Sequence, residues 1–409
     1  MFNSDQLISI LNSSIGLFSA FIISTFVYFN YGSDYSVFFL GYYSIFALSV
    51  AVYMNSHYSV ISHKPTLLNF SELIKFGGGY FFVISCFIPS LMISLYLFYS
   101  PDYLDSFSIE ILLTIFFASF FYSIFSFLHS RIFLTYDITF YNKLSFVNKF
   151  FSMVTLIVLS FYLNFSSFLM SFVLVNLLFS ICLLVFYIFG NRKLHPAKSF
   201  QKSDRYFSLK LNLITFSYFM VNKLILVFLP NIDFDGNKLV IAYATMILSS
   251  IVNILSSSRS YVVPELTKSW KVDQKLFFDK RDLIISQFKF IGMIYIFSVT
   301  LMLMLIYILF QFDVFEVDII TLNFILLSIL IYYCELNSSS ATVMLNASGR
   351  VIYWKWSLFT GFLYLTILYI VSLSYNITPF IMILIQFASM AIYQYWKWPI
   401  LLISYSNNK

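Results

Sequence analysis

Charge is scarce in this sequence. Of 409 residues, 24 are Lys or Arg and 18 are Asp or Glu, 10% together. A soluble domain of this length carries roughly 25% charged residues, so a water-facing surface cannot be covered here. Cysteine is nearly absent. Cys86, Cys182 and Cys334 lie far apart and each sits inside an apolar run. They read as small core residues and support neither a disulfide framework nor a metal site. The four histidines, His57, His63, His129 and His195, fall near expected helix ends without a metal-spaced partner. No Ser/His/acid set converges, and no Gly-rich phosphate loop is present, so neither a hydrolase nor an ATPase of its own is expected. The first apolar run has no basic stretch before it and no small-residue cleavage site after it. It reads as a mature first helix rather than a cleaved signal.

What is present is apolar and arranged in runs. Hydrophobic residues make up 60% of the chain. Leu7–Phe29, Tyr35–Met54, Phe76–Ser100, Phe150–Gly190, Leu239–Ser258, Phe290–Phe312 and Trp356–Trp396 contain no Asp, Glu, Lys or Arg. About 20 such residues cross the hydrocarbon core, because each helical residue rises about 1.5 Å against roughly 30 Å of thickness. The two longest runs must each be two helices. Tyr162–Ser167 breaks the first, and Ser374–Pro379 breaks the second with a proline that cannot continue a helix. Twelve spans result, near 7–29, 35–56, 76–100, 108–130, 144–164, 166–190, 207–230, 239–260, 286–312, 319–346, 351–374 and 378–401. The fold class is therefore an all-α, multi-pass membrane protein.

The split runs occupy corresponding places, one preceded by Lys149 and the other by Lys355. Gly32-Ser33-Asp34 after the first helix is echoed by Asp233-Phe234-Asp235-Gly236 after the seventh, and Pro65 after the second by Pro264 after the eighth. These echoes predict two pseudo-symmetric six-helix bundles around a central cavity, residues 1–203 and 204–409. Six is even, so both halves start on the same side, as in a parallel transporter repeat.

One set of connections holds almost all the basic residues, among them Lys64, Lys75, Arg131, Arg192, Lys193, Lys268, Lys271 and Arg350. The opposite set is acidic, with Asp34, Asp102, Asp105, Asp233, Asp235, Asp313, Glu316 and Asp318. Basic loops stay in the cytoplasm, which places both termini there. The external loops are only a few residues long, which argues against a repeat-unit polymerase or a membrane glycosyltransferase. The internal stretches 191–206 and 261–285 are too short to fold alone. The basic residues of the second suit anionic lipid headgroups. A major-facilitator transporter fits the helix count, but its Gly- and Arg-rich loop is missing from Ser56–Lys75.

Two charges remain near the middles of predicted helices: Lys223 in helix seven and Glu335 in helix ten. A charge at mid-membrane costs about 2.5–3.5 kcal/mol even on the lenient insertion scale, so it persists where a wet cavity, a partner or a ligand compensates it. Lys223 is read as attracting an anionic headgroup. Glu335 is read as its neighbour, or as a carboxylate that exchanges H⁺ or Na⁺. The plainer readings are a structural ion pair, or a lysine that snorkels. Arg259 and Lys149 sit near cytoplasmic ends, as cavity-mouth groups or simple anchors. Asn12, Asn222, Asn253 and Asn337 are amides within or near the middles of helices one, seven, eight and ten. They hydrogen-bond either a ligand or one another.

Several stretches resemble the polysaccharide repeat-unit flippases of the multidrug/oligosaccharidyl-lipid/polysaccharide exporter superfamily. They are Asn222–Leu229, Val240–Ala244, Tyr261–Leu266 with Pro264, Met344–Arg350 with its Asn-x-x-Gly-Arg exit, and Asn30–Ser36. Two positions depart from that pattern: Asn222 stands where an acidic residue is usual, and Ala242 where Gly is usual. The resemblance implies two six-helix bundles and alternating access. It implies transfer of a lipid-pyrophosphate-linked oligosaccharide across the inner membrane for surface polysaccharide (O-antigen or capsule), with Lys223 as the cationic residue. It further implies a bacterial cytoplasmic membrane as the location, and a non-enzyme without cofactor, coupled to H⁺ or Na⁺. Such a protein acts as a monomer among membrane lipids and other polysaccharide assembly proteins, with no nucleic acid. The alternatives are a drug or metabolite exporter of the same superfamily, or a multi-spanning enzyme such as a polymerase.

Overall fold

The structure is a computed structural model. It describes residues 4–63, 80–98, 108–133, 138–190, 202–232, 237–260, 292–304, 307, 318–347 and 354–393. Among the described residues every regular element is helical. In chain order these are α1 (Ser4–Tyr31), α2 (Ser33–His63), α3 (Tyr80–Phe98), α4 (Ile109–Phe133), α5 (Ile138–Ser160), α6 (Phe165–Gly190) and α7 (Lys202–Asn222). There follow α8 (Leu224–Phe228), a 3₁₀ turn (Leu229–Asn231), α9 (Lys238–Ser260), α10 (Gly292–Met304), α11 (Ile319–Ala347), α12 (Trp354–Ser372) and α13 (Pro379–Tyr393).

The twelve predicted spans map onto this order, and both breaks in the long uncharged runs fall where expected. One span differs. Helix 207–230, expected to be continuous, is broken at Lys223, and its two parts are bent by 54°. By length and composition, 143–160, 165–185, 319–338 and 354–372 suffice to cross a membrane, and the bent pair makes a fifth if its two parts are one span. Shorter apolar helices, such as 18–31, 109–125 and 379–391, accompany them. The chain is a multi-pass membrane protein.

The core is largely apolar, but the outward faces are apolar too, and small hydroxyls are buried among the helices. On α4, Leu113, Phe117 and Phe121 recur every fourth residue and are exposed, while Ala118, Ser119 and Ser123 are buried. A soluble helix would show the reverse; in lipid the exposed stripe meets acyl chains and the hydroxyls hide against neighbours. Many hydroxyls are satisfied without any neighbour. Ser44, Thr245, Ser328 and Thr360 each donate to the carbonyl four residues back, at 2.8–3.0 Å.

The helix starts carry side-chain caps. Asn164 Oδ1 accepts from Ser167 N at 2.9 Å ahead of α6. Asn237 Oδ1 accepts from Val240 N at 3.1 Å ahead of α9, and Asp318 Oδ1 from Thr321 N at 3.0 Å ahead of α11. Each satisfies one of the amide donors that a helix N-terminus leaves open.

The chain divides into two compact units, Met1–Phe216 and Ser217–Lys409, so the division falls within α7. In the first unit α1 packs along α5, and α4 packs against α6, α3 and α2. An aromatic column joins α2 to α6: Phe39, Tyr42, Tyr43 and Phe46 surround Phe172, with ring centroids 5.0–6.0 Å away. Each such pair contributes about 0.5–1.5 kcal/mol beyond area burial. Gly32 makes the turn from α1 to α2 at φ +108°, a conformation that side chains oppose. Beside it Asn30 donates to Ser160 Oγ at 2.9 Å, and the Tyr31 hydroxyl lies 2.8 Å from Ser160 O and 2.7 Å from Leu163 O. These bonds tie the first hairpin to the end of α5. In the second unit α9 packs along α11, and α13 packs against α11 and α12. Gly361 of α12 lets α7 come close, since a Cβ there would meet Ser217 Cβ at 3.3 Å.

Candidate functional site

The break between α7 and α8 lies in the second unit and gathers that unit's polar groups. Lys223 joins the two helices with φ −119° and ψ −14°. Its amide still donates to Phe219 O at 2.8 Å, and its carbonyl accepts from Leu226 N at 3.0 Å, so the backbone stays satisfied through the bend. The side chains on either side of the break go to different helices. Lys223 Nζ donates to Ser249 Oγ of α9 at 2.5 Å. Ser249 in turn donates its proton to Met246 O at 3.0 Å, so its oxygen faces the ammonium as an acceptor. Asn222 Oδ1 accepts from Gln386 Nε2 of α13 at 2.7 Å. Asn222 is fully buried and Gln386 is 3% exposed. Two polar residues in succession, each drawn to a different neighbour, give a physical reason for a bend that hydropathy did not announce.

Glu335 occupies the middle of α11 and is 4% exposed. Tyr218, one turn before Asn222 on α7, hydrogen-bonds the carboxylate. The carboxylate also interacts electrostatically with Lys223, Tyr295 and Tyr332. Tyr295 itself donates to Ile329 O at 2.9 Å, which ties α10 to α11. A buried charge needs such company, because hydrogen bonds to charged groups return about 1.5–3 kcal/mol each against its desolvation. Lys223 and Glu335 are electrostatic neighbours, but each has a neutral hydrogen-bond partner of its own, Ser249 for the cation and Tyr218 for the anion.

Of the residues singled out in the sequence, Asn222, Lys223 and Glu335 come together in this way. Asn337 lies two residues beyond Glu335 and is half-buried; successive residues turn about 100°, so it points well away from the carboxylate. Lys149 is half-buried on α5 and belongs to the first unit. Asn12 is on α1, and Asn253 and Arg259 are on α9; their side chains lie outside the described residues. Sequence reasoning missed Tyr218, Ser249, Gln386, Tyr295 and Tyr332. Only Gln386 carried a usable signal: it is an amide in the middle of a predicted span within a run free of charge.

No protein-family model matches the sequence. No curated protein matches it either. Solved structures do match in fold. A MATE crystal structure in complex with MaD3S superposes with a TM-score of 0.60 at 11% identity, covering 98% of this chain and 99% of that one. A MOP superfamily transporter from Pyrococcus furiosus gives 0.61 at 11% identity, covering 97% of this chain and 94% of that one; its binding pocket is described as of reverse polarity. The eukaryotic MATE transporter AtDTX14 gives 0.56 at 13% identity, covering 97% and 93%. The chain has the MATE fold over nearly its whole length.

Proposed function

We propose that this chain is a membrane exporter working by alternating access, coupled to an H⁺ or Na⁺ gradient, with a cargo that carries an anionic group. The observation that carries the reading is Lys223, a cation inside a membrane span at a helix break, held beside Glu335 in a chain of the MATE fold. The pairing suggests how cargo and ion are linked. An ionised Glu335 competes with an anion for Lys223 and repels it. Uptake of a proton or Na⁺ by the carboxylate removes that competitor, so the two occupancies favour each other. In this reading the chain is a transporter rather than an enzyme, a proposal that its MATE fold supports.

For the cargo, an amphipathic drug or metabolite fits a MATE fold at least as well as any larger solute. The second reading, a lipid-pyrophosphate-linked oligosaccharide, is favoured by the motif order around Asn222–Leu229, Pro264 and Met344–Arg350. In it the pyrophosphate meets Lys223 and the lipid tail stays in the bilayer. The location would be a bacterial cytoplasmic membrane, with both termini inside and other polysaccharide assembly proteins as neighbours.

The general test uses the full chain in proteoliposomes with an imposed pH or Na⁺ gradient. An anionic amphiphile such as a fluorescent acyl phosphate is compared with the cationic dye ethidium. Gradient-dependent movement of the anion is expected. Lys223→Ala should lower it at least tenfold and Lys223→Arg should keep most of it. Movement of ethidium alone would exclude the anionic cargo. Equal loss in both variants, at normal folding, would exclude a simple charge requirement. The finer reading predicts that deleting the gene traps lipid-linked oligosaccharide on the inner leaflet. Normal surface glycan and normal intermediates would overturn it.

A further inference from the structure

Five tryptophans occur in 409 residues, and each stands directly beside a lysine. Trp270 precedes Lys271, Trp354 and Trp356 flank Lys355, and Trp396 and Trp398 flank Lys397. The sequence Tyr353-Trp354-Lys355-Trp356 recurs as Tyr395-Trp396-Lys397-Trp398. With only 24 Lys and Arg in the chain, chance does not place one beside every tryptophan. The first copy opens α12, and in sequence the second begins two residues after the end of α13. These helices pack together across the short connection 373–378, so the chain enters α12 and leaves α13 at one end of the pair. That end is on the side that the basic connections assign to the cytoplasm.

Lys355 is exposed in the first turn of α12, and its ammonium lies 5.9 Å from the centre of the Trp354 ring. The first turn holds no acidic residue. A cation there adds to the positive end of the helix dipole, so its compensation comes from outside the helix. Trp356 is 53% exposed and stands edge-to-face with Phe359, ring centroids 6.3 Å apart. Exposed indoles settle at the headgroup level of a bilayer, where lysines meet anionic phosphates. Phe359, Phe362 and Tyr369 follow Lys355 by four, seven and fourteen residues, which puts them on its face of the helix, and all three are exposed. At about 1.5 Å per residue the column runs about 21 Å, more than one leaflet of a roughly 30 Å core. A cation at its head and an apolar track below it match a phosphate joined to acyl chains.

We propose that the start of α12 is a binding site for an anionic phospholipid, with the headgroup phosphate on Lys355 and an acyl chain along Phe359 and Phe362. The site does not depend on the anionic-cargo reading. Its ligand is a resident of the bilayer and not the transported solute.

The tryptophans report on the site. In the full chain carrying Trp270→Phe, Trp396→Phe and Trp398→Phe, emission comes from Trp354 and Trp356. This protein is reconstituted into phosphatidylcholine vesicles that contain brominated phosphatidylglycerol or, as control, brominated phosphatidylcholine at the same fraction. Bromine quenches the indoles it touches, so the two quenching curves give the preference for the anionic lipid. That preference should be about fivefold, the worth of one lysine at an anionic surface. Lys355→Ala should abolish it and Lys355→Arg should keep it. A misplaced helix would change quenching by both lipids alike, so their ratio separates charge recognition from damage to the fold. No preference with Lys355 in place, or an unchanged preference in Lys355→Ala, would overturn the site. Displacement of the brominated phosphatidylglycerol by millimolar inorganic phosphate would assign Lys355 to free phosphate and overturn the lipid.

Discussion

A charged residue inside a lipid-exposed bundle survives on what surrounds it. Glu335 is 4% exposed and takes a hydrogen bond from Tyr218. The groups that feel its charge are Lys223 from the α7–α8 break, Tyr218 from α7, Tyr295 from α10, and Tyr332 and Cys334 from α11. Lys223 is the cation among them, so the state of Glu335 decides how much of its field is left for a ligand. Glu335→Gln removes the competing charge, so at one fixed pH the affinity for an anionic amphiphile probe such as farnesyl diphosphate should rise about tenfold over wild type. Unchanged affinity would show that Glu335 does not set the field at Lys223. Lys223 and Glu335 were readable in the sequence because charge is so rare there that each stands out. Tyr218 and Ser249 were not, for the opposite reason: the chain has 31 tyrosines and abundant serine, and no local pattern marks the one that meets a charge.

At the scale of elements, hydropathy gave the helices and could not give their joints. Uncharged runs of spanning length, together with Asn164 and Pro379 at the breaks, place α5, α6, α12 and α13 from composition alone. Asn222 and Lys223 stood out as polar, but nothing in the apolar flanks announced a bend, because the partners that draw them apart lie on α9 and α13, more than twenty residues away. Caps and close approaches are likewise set by partners. Asp318 holds the start of α11, the helix that carries Glu335. Replacing an N-cap by Ala costs about 0.5–2 kcal/mol, so Asp318→Ala should lower the melting temperature in detergent by a few degrees and leave probe affinity within twofold. Gly361→Val should act more severely. Its Cβ would stand 3.3 Å from Ser217 Cβ, so α12 and α7 must separate. Overpacking of this kind typically costs about 1–3 kcal/mol. Thermal-shift scans of the two variants check both, and a Gly361→Val protein as stable as wild type would show that this approach is not tight.

For the whole molecule, the sequence arithmetic was a matter of parity. Six spans separate Asp34, after the first helix, from Asp235, after the seventh, and an even number of crossings returns the chain to the side it left. Counted as one crossing each, α2 to α6 and the bent α7–α8 pair give the same six. A straight reading of α7 and α8 as two separate spans would make it odd and send the second unit in upside down. Cysteine labelling decides between these. With Cys86, Cys182 and Cys334 replaced by Ala, single cysteines at positions 34, 102 and 235 should react with a membrane-impermeant maleimide on intact cells. Those at 198 and 271 should react only after permeabilisation, because the Lys and Arg of their connections hold them inside. Labelling of 34 and 235 from opposite sides would break the parity, and with it the proposal that both halves enter the membrane in the same direction. Labelling of both only after permeabilisation would keep the parity but invert the molecule, so that the α7–α8 break would load its anion from the opposite face and the transport proposed here would run inward.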